Sequence, residues 1–432
     1  MPVFQIPYGK TSLDLNIPPG HWGELLSPLP GKSSPRPPDF QSSFKNPLDS
    51  PALEAFLEGC RSLLILVNDE TRPTPTGRVL EALWPRIAEL NFTVLVATGT
   101  HRAGRPQSLE RLFSPLWPQI RERVCFHDSR QEGGMIFLGT TFRGTRVLLN
   151  SRIMMADRVL AIGSVEPHYF AGYTGGRKLI VPGIAAYSTI VANHSLALEP
   201  GSQPLRLLGN PVHEDLMEAL QYLTMPPIFS IQLVLTPDHE VAGVYAGSLL
   251  KSFLAATRQA DEVFTVPFRE KSDILVSVAL PPMDLDLYQS QKPIEHGKLA
   301  LKEDGILILV MPCLQGAGPA EFQELLSRTG DFDQARLLLN QPYRLGFHRV
   351  SRNLRFVADG GAIWGVTELD PDFLSHTFLR PRTSLQKAVD EALAVKGPGA
   401  RVNILLNASL CVPKQGTQRP LGVGPPAFGE AG

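Results

Sequence analysis

The sequence predicts an α/β fold: two α/β domains with a cleft between them, the N-terminal one a doubly wound, mostly parallel sheet. Three observations carry that expectation. The chain has 432 residues, 43% of them hydrophobic, which is more than one core comfortably organises. A strand–loop–helix grammar occurs twice within about sixty residues, first at Ser62–Asn68 and again at Thr93–Ala97. A third apolar run, Arg158–Ile162, continues the alternation, and alternating strands and helices build parallel sheets.

In chain order, Met1–Pro18 alternates apolar and polar residues around Tyr8-Gly9-Lys10, the pattern of a small hairpin capping the first domain. Residues 19–48, crowded with Pro, Gly and Ser, read as an extended surface connection. Ser62–Asn68 is a continuous apolar run, as a strand buried on both faces requires, and Thr76 is placed to cap the helix that follows. After Thr93–Ala97 comes Thr98-Gly-Thr-His-Arg102 and a helix beyond Pro106. The stretch after the third strand carries Pro167-His168, then Gly172-Tyr-Thr-Gly-Gly176 and Arg177-Lys178, then Pro182-Gly183 and a helix bearing His194. A helix over 212–223, strands near 231–235 and 241–246, and a helix from Ser248 complete a first domain of residues 1–268. Ile274–Ala279 opens a second domain, 269–412, whose loop holds Asp284, Asp286, Tyr288, Gln289 and Lys292. Gly316-Ala-Gly318-Pro319 precedes a helix whose free N–H groups suit an anion, a weak signal because Glu321 stands where a dinucleotide fingerprint needs glycine. Residues 413–432, rich in Pro and Gly, read as a disordered tail.

Charge and cysteines narrow the class. With 41 basic against 42 acidic residues the net charge is −1, which lacks the footprint of a nucleic-acid binder and favours a small-molecule partner. The cysteines Cys60, Cys125, Cys313 and Cys411 are scattered without CxxC spacing, as expected for reduced thiols in a cytoplasmic protein. The longest apolar run, Ile306–Met311, is too short to cross a bilayer, and no membrane partner is expected. Gly172–Lys178 fails the spacing of a nucleotide-phosphate loop and has Leu179 where Ser or Thr must meet magnesium. HExxH, structural-zinc spacing and a GxSxG elbow are all missing.

What remains lies at strand ends. Asp69, Arg72, His101 and His168 each follow the C-terminal end of an expected strand, where doubly wound sheets bind ligands. If those strands are neighbours, the side chains meet on one rim. Glycines around Gly175 and Gly176 let backbone approach a ligand closely, and they deliver Lys178. Histidines suit proton transfer near neutral pH, while Arg and Lys suit a carboxylate or phosphate. Taken singly, each has a plainer reading: a helix cap for His101, a core histidine for His194, a solvated charge for Lys292.

Several motifs in order carry more than any one. Asp69-Glu-Thr-Arg-Pro, Gly99-Thr-His-Arg102, Glu166-Pro-His168, Ala171-Gly-Tyr-Thr-Gly-Gly-Arg-Lys178, Pro182-Gly183, Asn193-His194 and Tyr288-Gln289 with Lys292 resemble, over residues 8 to 410, the nickel-dependent lactate racemase family. That resemblance implies an isomerase, a racemase or epimerase of a 2-hydroxy acid, using a nickel-pincer nucleotide (a pyridinium mononucleotide holding nickel through one carbon and two sulfurs). It implies His101 and His168 as the acid/base pair, with the substrate's α-hydrogen leaving as hydride to the pincer ring. Lys178 would carry the cofactor, covalently in some relatives. Asp69, Gly175 and Gly176 would help to bind it, and His194 would be the protein's nickel ligand in a square plane. Arg72 and Lys292, with Tyr288 and Gln289 nearby, would hold the substrate carboxylate. Partners implied are the small hydroxy acid and the proteins that make the cofactor and insert nickel. Two alternatives stay open: a non-catalytic cofactor- or hydroxy-acid-binding protein of the same fold, and a Schiff-base role for Lys178. Which hydroxy acid is used is left undecided.

Overall fold

A computed structural model describes residues 3–27 and 39–416, except 102, 103, 105, 332–334, 336 and 339. The chain forms two compact units, one of Pro30–Val263 and the other of Met1–Leu29 with Phe264–Gly432.

The Pro30–Val263 unit is built on a six-stranded sheet. Its spatial order is Val241–Gly247, Ile228–Leu235, Arg158–Ser164, Leu63–Asn68, Phe92–Ala97, Val124–Phe126. All neighbours are parallel except Val241–Gly247, which returns antiparallel on Ile228–Leu235. Leu63–Val67 is buried along its whole length, which explains the unbroken apolar run: helices cover both faces, so neither register of the pleat meets water. From the central strand Leu63–Asn68 the chain winds one way to Phe92–Ala97 and Val124–Phe126, then back to Arg158–Ser164 on the other side. The switch point of this doubly wound sheet therefore lies between Leu63–Asn68 and Arg158–Ser164, and doubly wound sheets open their ligand crevice there.

The other unit carries its own six-stranded parallel sheet, in the order Leu379–Pro381, Ala362–Val366, Leu301–Val310, Ser272–Val278, Val402–Leu405, Trp22–Leu26. Both units are α/β, as expected, but their boundaries differ from a 1–268 and 269–412 division. The hairpin of Val3–Tyr8 and Thr11–Asn16 is present but caps the second sheet, burying Ile6, Leu15 and Ile17 in a core shared with Val276, Ile308 and Ile404. The stretch 19–48 is likewise more than a connection. Trp22–Leu26 forms the edge strand on Val402–Leu405, and Phe40–Lys45 is a helix whose Phe40 and Phe44 are buried one turn apart. Residues 413–416 do not belong to a loose tail, because Val412–Gln415 pairs in parallel with Thr265–Phe268. Residues 417–432 lie outside the described residues.

Thr76 does not cap its helix. It is the first residue of Thr76–Ile87, with its hydroxyl turned back to the Thr74 carbonyl at 3.4 Å. All four cysteines are free thiols. Among the described residues no helix is long and apolar enough to cross a membrane.

Candidate active site

Three adjacent strands of the Pro30–Val263 unit end in loops that bond to one another. After Leu63–Asn68, Asp69 is 5% exposed and sits in a tight turn. Its Oδ1 accepts from the Thr71 hydroxyl (2.6 Å) and backbone N–H (3.2 Å). Its Oδ2 lies 2.7 Å from Nδ1 of His101, which follows the neighbouring strand Phe92–Ala97. Burial alone would push the Asp69 carboxyl up. Hydrogen bonds from His101 and Thr71 and the positive charge of Arg72 outweigh it, so the carboxylate is held below its usual range. Across the switch point, the Arg72 guanidinium pairs with Glu166, which follows Arg158–Ser164, at 3.3 Å. Beneath that pair, the hydroxyls of Thr74 and Ser164 bond at 2.8 Å.

Directly after Glu166 the chain makes a minute hairpin, Pro167–His168 against Gly172–Tyr173. Its turn wraps back so that Nδ1 of His168 accepts from the backbone N–H groups of Phe170 (3.5 Å) and Ala171 (3.3 Å). Nε2 of the same ring lies 3.1 Å from Nζ of Lys178. Lys178 rides on a short 3₁₀ turn, Gly176–Leu179, whose entry is fixed by the Gly176 N–H donating to Gln232 at 2.8 Å. The Phe170 ring is the hub. The His168 ring meets it edge-on at 4.5 Å, the His194 ring at 5.2 Å, and Lys178 Nζ stands 5.4 Å from its centre. His194 is delivered by the helix Tyr187–Ser195, anchored by the buried Asn193, whose side-chain amide donates to Asp215 at 2.8 Å. Asp215 also accepts from Thr141 (2.5 Å) and Thr145 (2.9 Å), so this buried carboxylate is held by three neutral donors.

Arg177, next to Lys178, is 1% exposed. One of its N–H groups donates to the Ala171 carbonyl at 2.7 Å and its guanidinium lies 4.3 Å from the Phe253 ring. Burial lowers its affinity for the proton to a pKa of about 9. The strand turn that presents His168 and the 3₁₀ turn that presents Lys178 are thus tied by a buried arginine.

In the other unit, Tyr288 and Gln289 lie on the turn Leu287–Ser290, capped by Asp286, whose side chain accepts from the Gln289 N–H at 3.0 Å. Lys292 lies on the helix Gln291–Gly297 that follows directly. The Arg349 guanidinium stacks 3.9 Å above the Tyr288 ring and donates to the Tyr288 carbonyl at 3.3 Å.

Comparison with known proteins fits this arrangement. A model of the lactate racemase N-terminal domain matches residues 8–204, and one of the C-terminal domain matches residues 269–411. A lactate racemase of Thermoanaerobacterium thermosaccharolyticum is 30% identical over 340 residues, spanning 77% of this chain and 79% of that protein. The chain belongs to the lactate racemase family. It is an isomerase of the racemase type. A lactate racemase of Lactiplantibacillus plantarum is 28% identical over 430 residues, covering 94% of this chain and 98% of its own. The solved apoprotein of the Thermoanaerobacterium lactate racemase superposes with a TM-score of 0.85 at 26% identity, over 96% of this chain and all of the other. A Thermotoga maritima protein shares the fold at a TM-score of 0.63 and 16% identity.

The site groups the family motifs as follows. His168, Lys178 and His194 gather around Phe170, Asp69 pairs with His101, and Arg72 pairs with Glu166. Asp69, expected at the cofactor, has one oxygen on Thr71 and the other on His101. The glycines also have a reason within the fold. Gly175 (φ +73°) would place a Cβ 2.6 Å from Val165, and Gly176 (φ +50°) one 2.8 Å from Phe253. Gly318, in the stretch read as an anion cradle, has φ +105° and a Cβ there would stand 2.6 Å from Tyr288, so it makes room for that side chain. Sequence reasoning passed over Phe170, Arg177 and the Asn193–Asp215 bond. Arg177 lay inside a motif and Phe170 between two of them, but only the fold reveals which apolar ring the three side chains share. Asp215 gives no signal at all: it is one acidic residue on an amphipathic helix.

Proposed function

We propose that the chain racemises or epimerises a 2-hydroxy acid, the substrate class of its lactate racemase relatives, with the help of a nickel-pincer nucleotide. One observation carries this reading: an amine and two imidazoles, Lys178, His168 and His194, converge on a single aromatic ring beside a sheet's switch point. The donor set fits the cofactor. Among the described residues no group of three His, Cys, Asp or Glu side chains could hold a metal, so His194 suits a nickel ion whose other ligands come from an organic group. Lys178 would hold that group, covalently or not, with Gly175 and Gly176 forming the turn that presents the amine. When bound, such a cofactor supplies an acceptor for the substrate's α-hydrogen as hydride.

The rest falls to the chain's own residues. Arg72 and Lys292, with Tyr288 and Gln289, bind and orient the carboxylate, and a cation fixed by an existing carboxylate partner, as Arg72 is by Glu166, is already aimed. His101 and His168 hold and move the hydroxyl proton, and Asp69 orients His101 through Nδ1. Four free thiols accord with a cytoplasmic setting, where the cofactor-making and nickel-inserting proteins would load the enzyme.

The test is co-expression with those loading proteins, followed by metal analysis, intact mass, and a chiral assay over a panel of enantiopure 2-hydroxy acids. Wild-type protein is expected to carry nickel and to interconvert one pair of enantiomers. His101→Ala and His168→Ala should each lose roughly 10²-fold or more in turnover, the usual contribution of a general acid or base. Turnover by nickel-free protein, or full activity in both variants, would refute the proposal.

A further inference from the structure

The two histidines of the site are backed by opposite chemistry. Nδ1 of His101 faces the buried carboxylate of Asp69 at 2.7 Å. A carboxylate with no proton of its own can only accept, so that nitrogen carries hydrogen, and in the neutral ring Nε2 of His101 keeps its lone pair. His168 is the reverse. Its Nδ1 receives two backbone N–H groups, from Phe170 and Ala171, and amide protons can be neither lost nor turned away. That nitrogen must present a lone pair, which leaves the ring's hydrogen on Nε2.

We infer that the two histidines rest as opposite tautomers, so that the site is polarised before substrate arrives: Nε2 of His101 is the resting proton acceptor and Nε2–H of His168 the resting donor. The catalytic part of this inference rests on the racemase reading; the tautomers themselves do not. The surroundings differ in the same sense. The His101 side chain is 54% exposed beside Asp69, which anchors it and stabilises the charge gained when it takes a proton. His168 is 8% exposed, stacked on Tyr169 and edge-on to Phe170, and two backbone N–H groups point at its Nδ1.

A consequence reaches Lys178. Its Nζ lies 3.1 Å from Nε2 of His168. If that nitrogen bears the hydrogen, the bond runs from imidazole to amine and the lysine offers a lone pair, the uncharged form that attachment to an acyl or thioacyl carbon needs. The arrangement is held from outside the ring as well: the Arg177 guanidinium binds the carbonyl of Ala171, the residue whose N–H caps His168.

The test reads hydrogen positions in the apoprotein. The chain has ten histidines, so ¹⁵N-histidine labelling with long-range ¹H–¹⁵N correlation is tractable, and His101→Gln and His168→Gln assign the two spectra. The expected result is a nitrogen pattern of the Nδ1–H form for His101 and of the Nε2–H form for His168. Asp69→Asn, which can donate an N–H to the ring, is expected to shift His101 toward the Nε2–H form, and in the loaded enzyme to lose roughly 10²-fold or more in turnover. Where exchange broadens the signals, neutron diffraction from deuterium-exchanged crystals counts the deuterons on both rings and on Lys178 directly. The same tautomer in both histidines, a doubly protonated His168, or three deuterons on Lys178 would overturn the inference. A protein with the expected tautomers and no chiral turnover would instead refute only the racemase reading.

Discussion

Gly175→Ala is the substitution whose cost follows most directly from the coordinates. Gly175 has φ +73° and ψ −174°, a region that residues with a Cβ scarcely enter, and holding alanine there costs about 1–3 kcal/mol. The added methyl has no room either: it would lie 2.6 Å from Val165 Cγ2, 2.7 Å from Gln232 Oε1 and 2.8 Å from the Ser164 carbonyl oxygen. Gln232 can withdraw only by releasing the N–H of Gly176, and Ser164 is strand backbone. Forcing a methylene-sized group into such a place costs typically another ~1–3 kcal/mol. The sum, roughly 2–6 kcal/mol, is a large part of the stability of an ordinary domain. Urea unfolding of the apoprotein, followed by tryptophan fluorescence and far-ultraviolet circular dichroism, measures it. Gly133→Ala is the control, since Gly133 is exposed, lies outside the left-handed region and has nothing within 4 Å of a new Cβ. It should be neutral, or stabilising by up to ~1 kcal/mol through the unfolded chain. If Gly175→Ala unfolds within 0.5 kcal/mol of wild type, on the order of an ordinary surface change, the turn that presents Lys178 is not fixed in the way described.

Two further outcomes are expected from buried charge. Glu295, 2% exposed at its side chain, bonds Lys298 at 2.5 Å and Arg352 at 2.6 Å, and Glu295→Gln leaves those two cations facing a neutral amide; urea unfolding should register a loss of about 3–5 kcal/mol, whereas a loss under ~1 would mean that water reaches the cluster. His213 stacks on Phe253, and burial followed by the charge of Arg177 lowers its pKa from 6.5 to about 3. A depressed folded-state value means stability that is complete above pH 6.5 and drains as pH falls towards 3, by up to ~1.4 kcal/mol per pH unit. His213→Asn should flatten that slope in denaturant titrations across the window, and an unchanged slope would count against the buried neutral ring.

The sheet of the Pro30–Val263 unit was legible because its strands advertise themselves. Leu63–Val67 and Val159–Gly163 are apolar without interruption, as burial on both faces demands, and a charged residue, Asp69 or Glu166, follows each strand within two residues. The rim position of Asp69, His101 and His168 followed from that pattern together with the family motifs. What escaped was whatever depends on pairing over long sequence distance. Trp22–Leu26 is a five-residue strand amid prolines and glycines, and only its partner at Val402–Leu405 gives it a place. Val412–Gln415 likewise owes its form to Thr265–Phe268, because no local signal marks VPKQ as a strand. The glycines of Gly172–Gly176 were recognised as special, but local sequence cannot say whether the missing Cβ admits a ligand or the side chains of Val165 and Phe253.

The same contrast explains how a site made of loops can be firm. A buried carboxylate such as Asp69 must find donors where it stands, and Asp69-Glu-Thr-Arg-Pro supplies two of them from Thr71 and a nearby positive charge from Arg72 within three residues. The other oxygen, Oδ2, is left for the next strand's loop, where His101 meets it. Arg72 in turn reaches the loop on the other side, at Glu166. Because the central strand has one neighbour on each flank, those two bonds, with the buried Thr74–Ser164 bond, tie three strand ends together across the switch point. The turn after Glu166 then repeats the device with backbone: two amides fix one nitrogen of His168 and leave the other for Lys178. Each ring is therefore oriented through its Nδ1, by a carboxylate in His101 and by two backbone amides in His168, so the two rings are fixed by opposite kinds of partner.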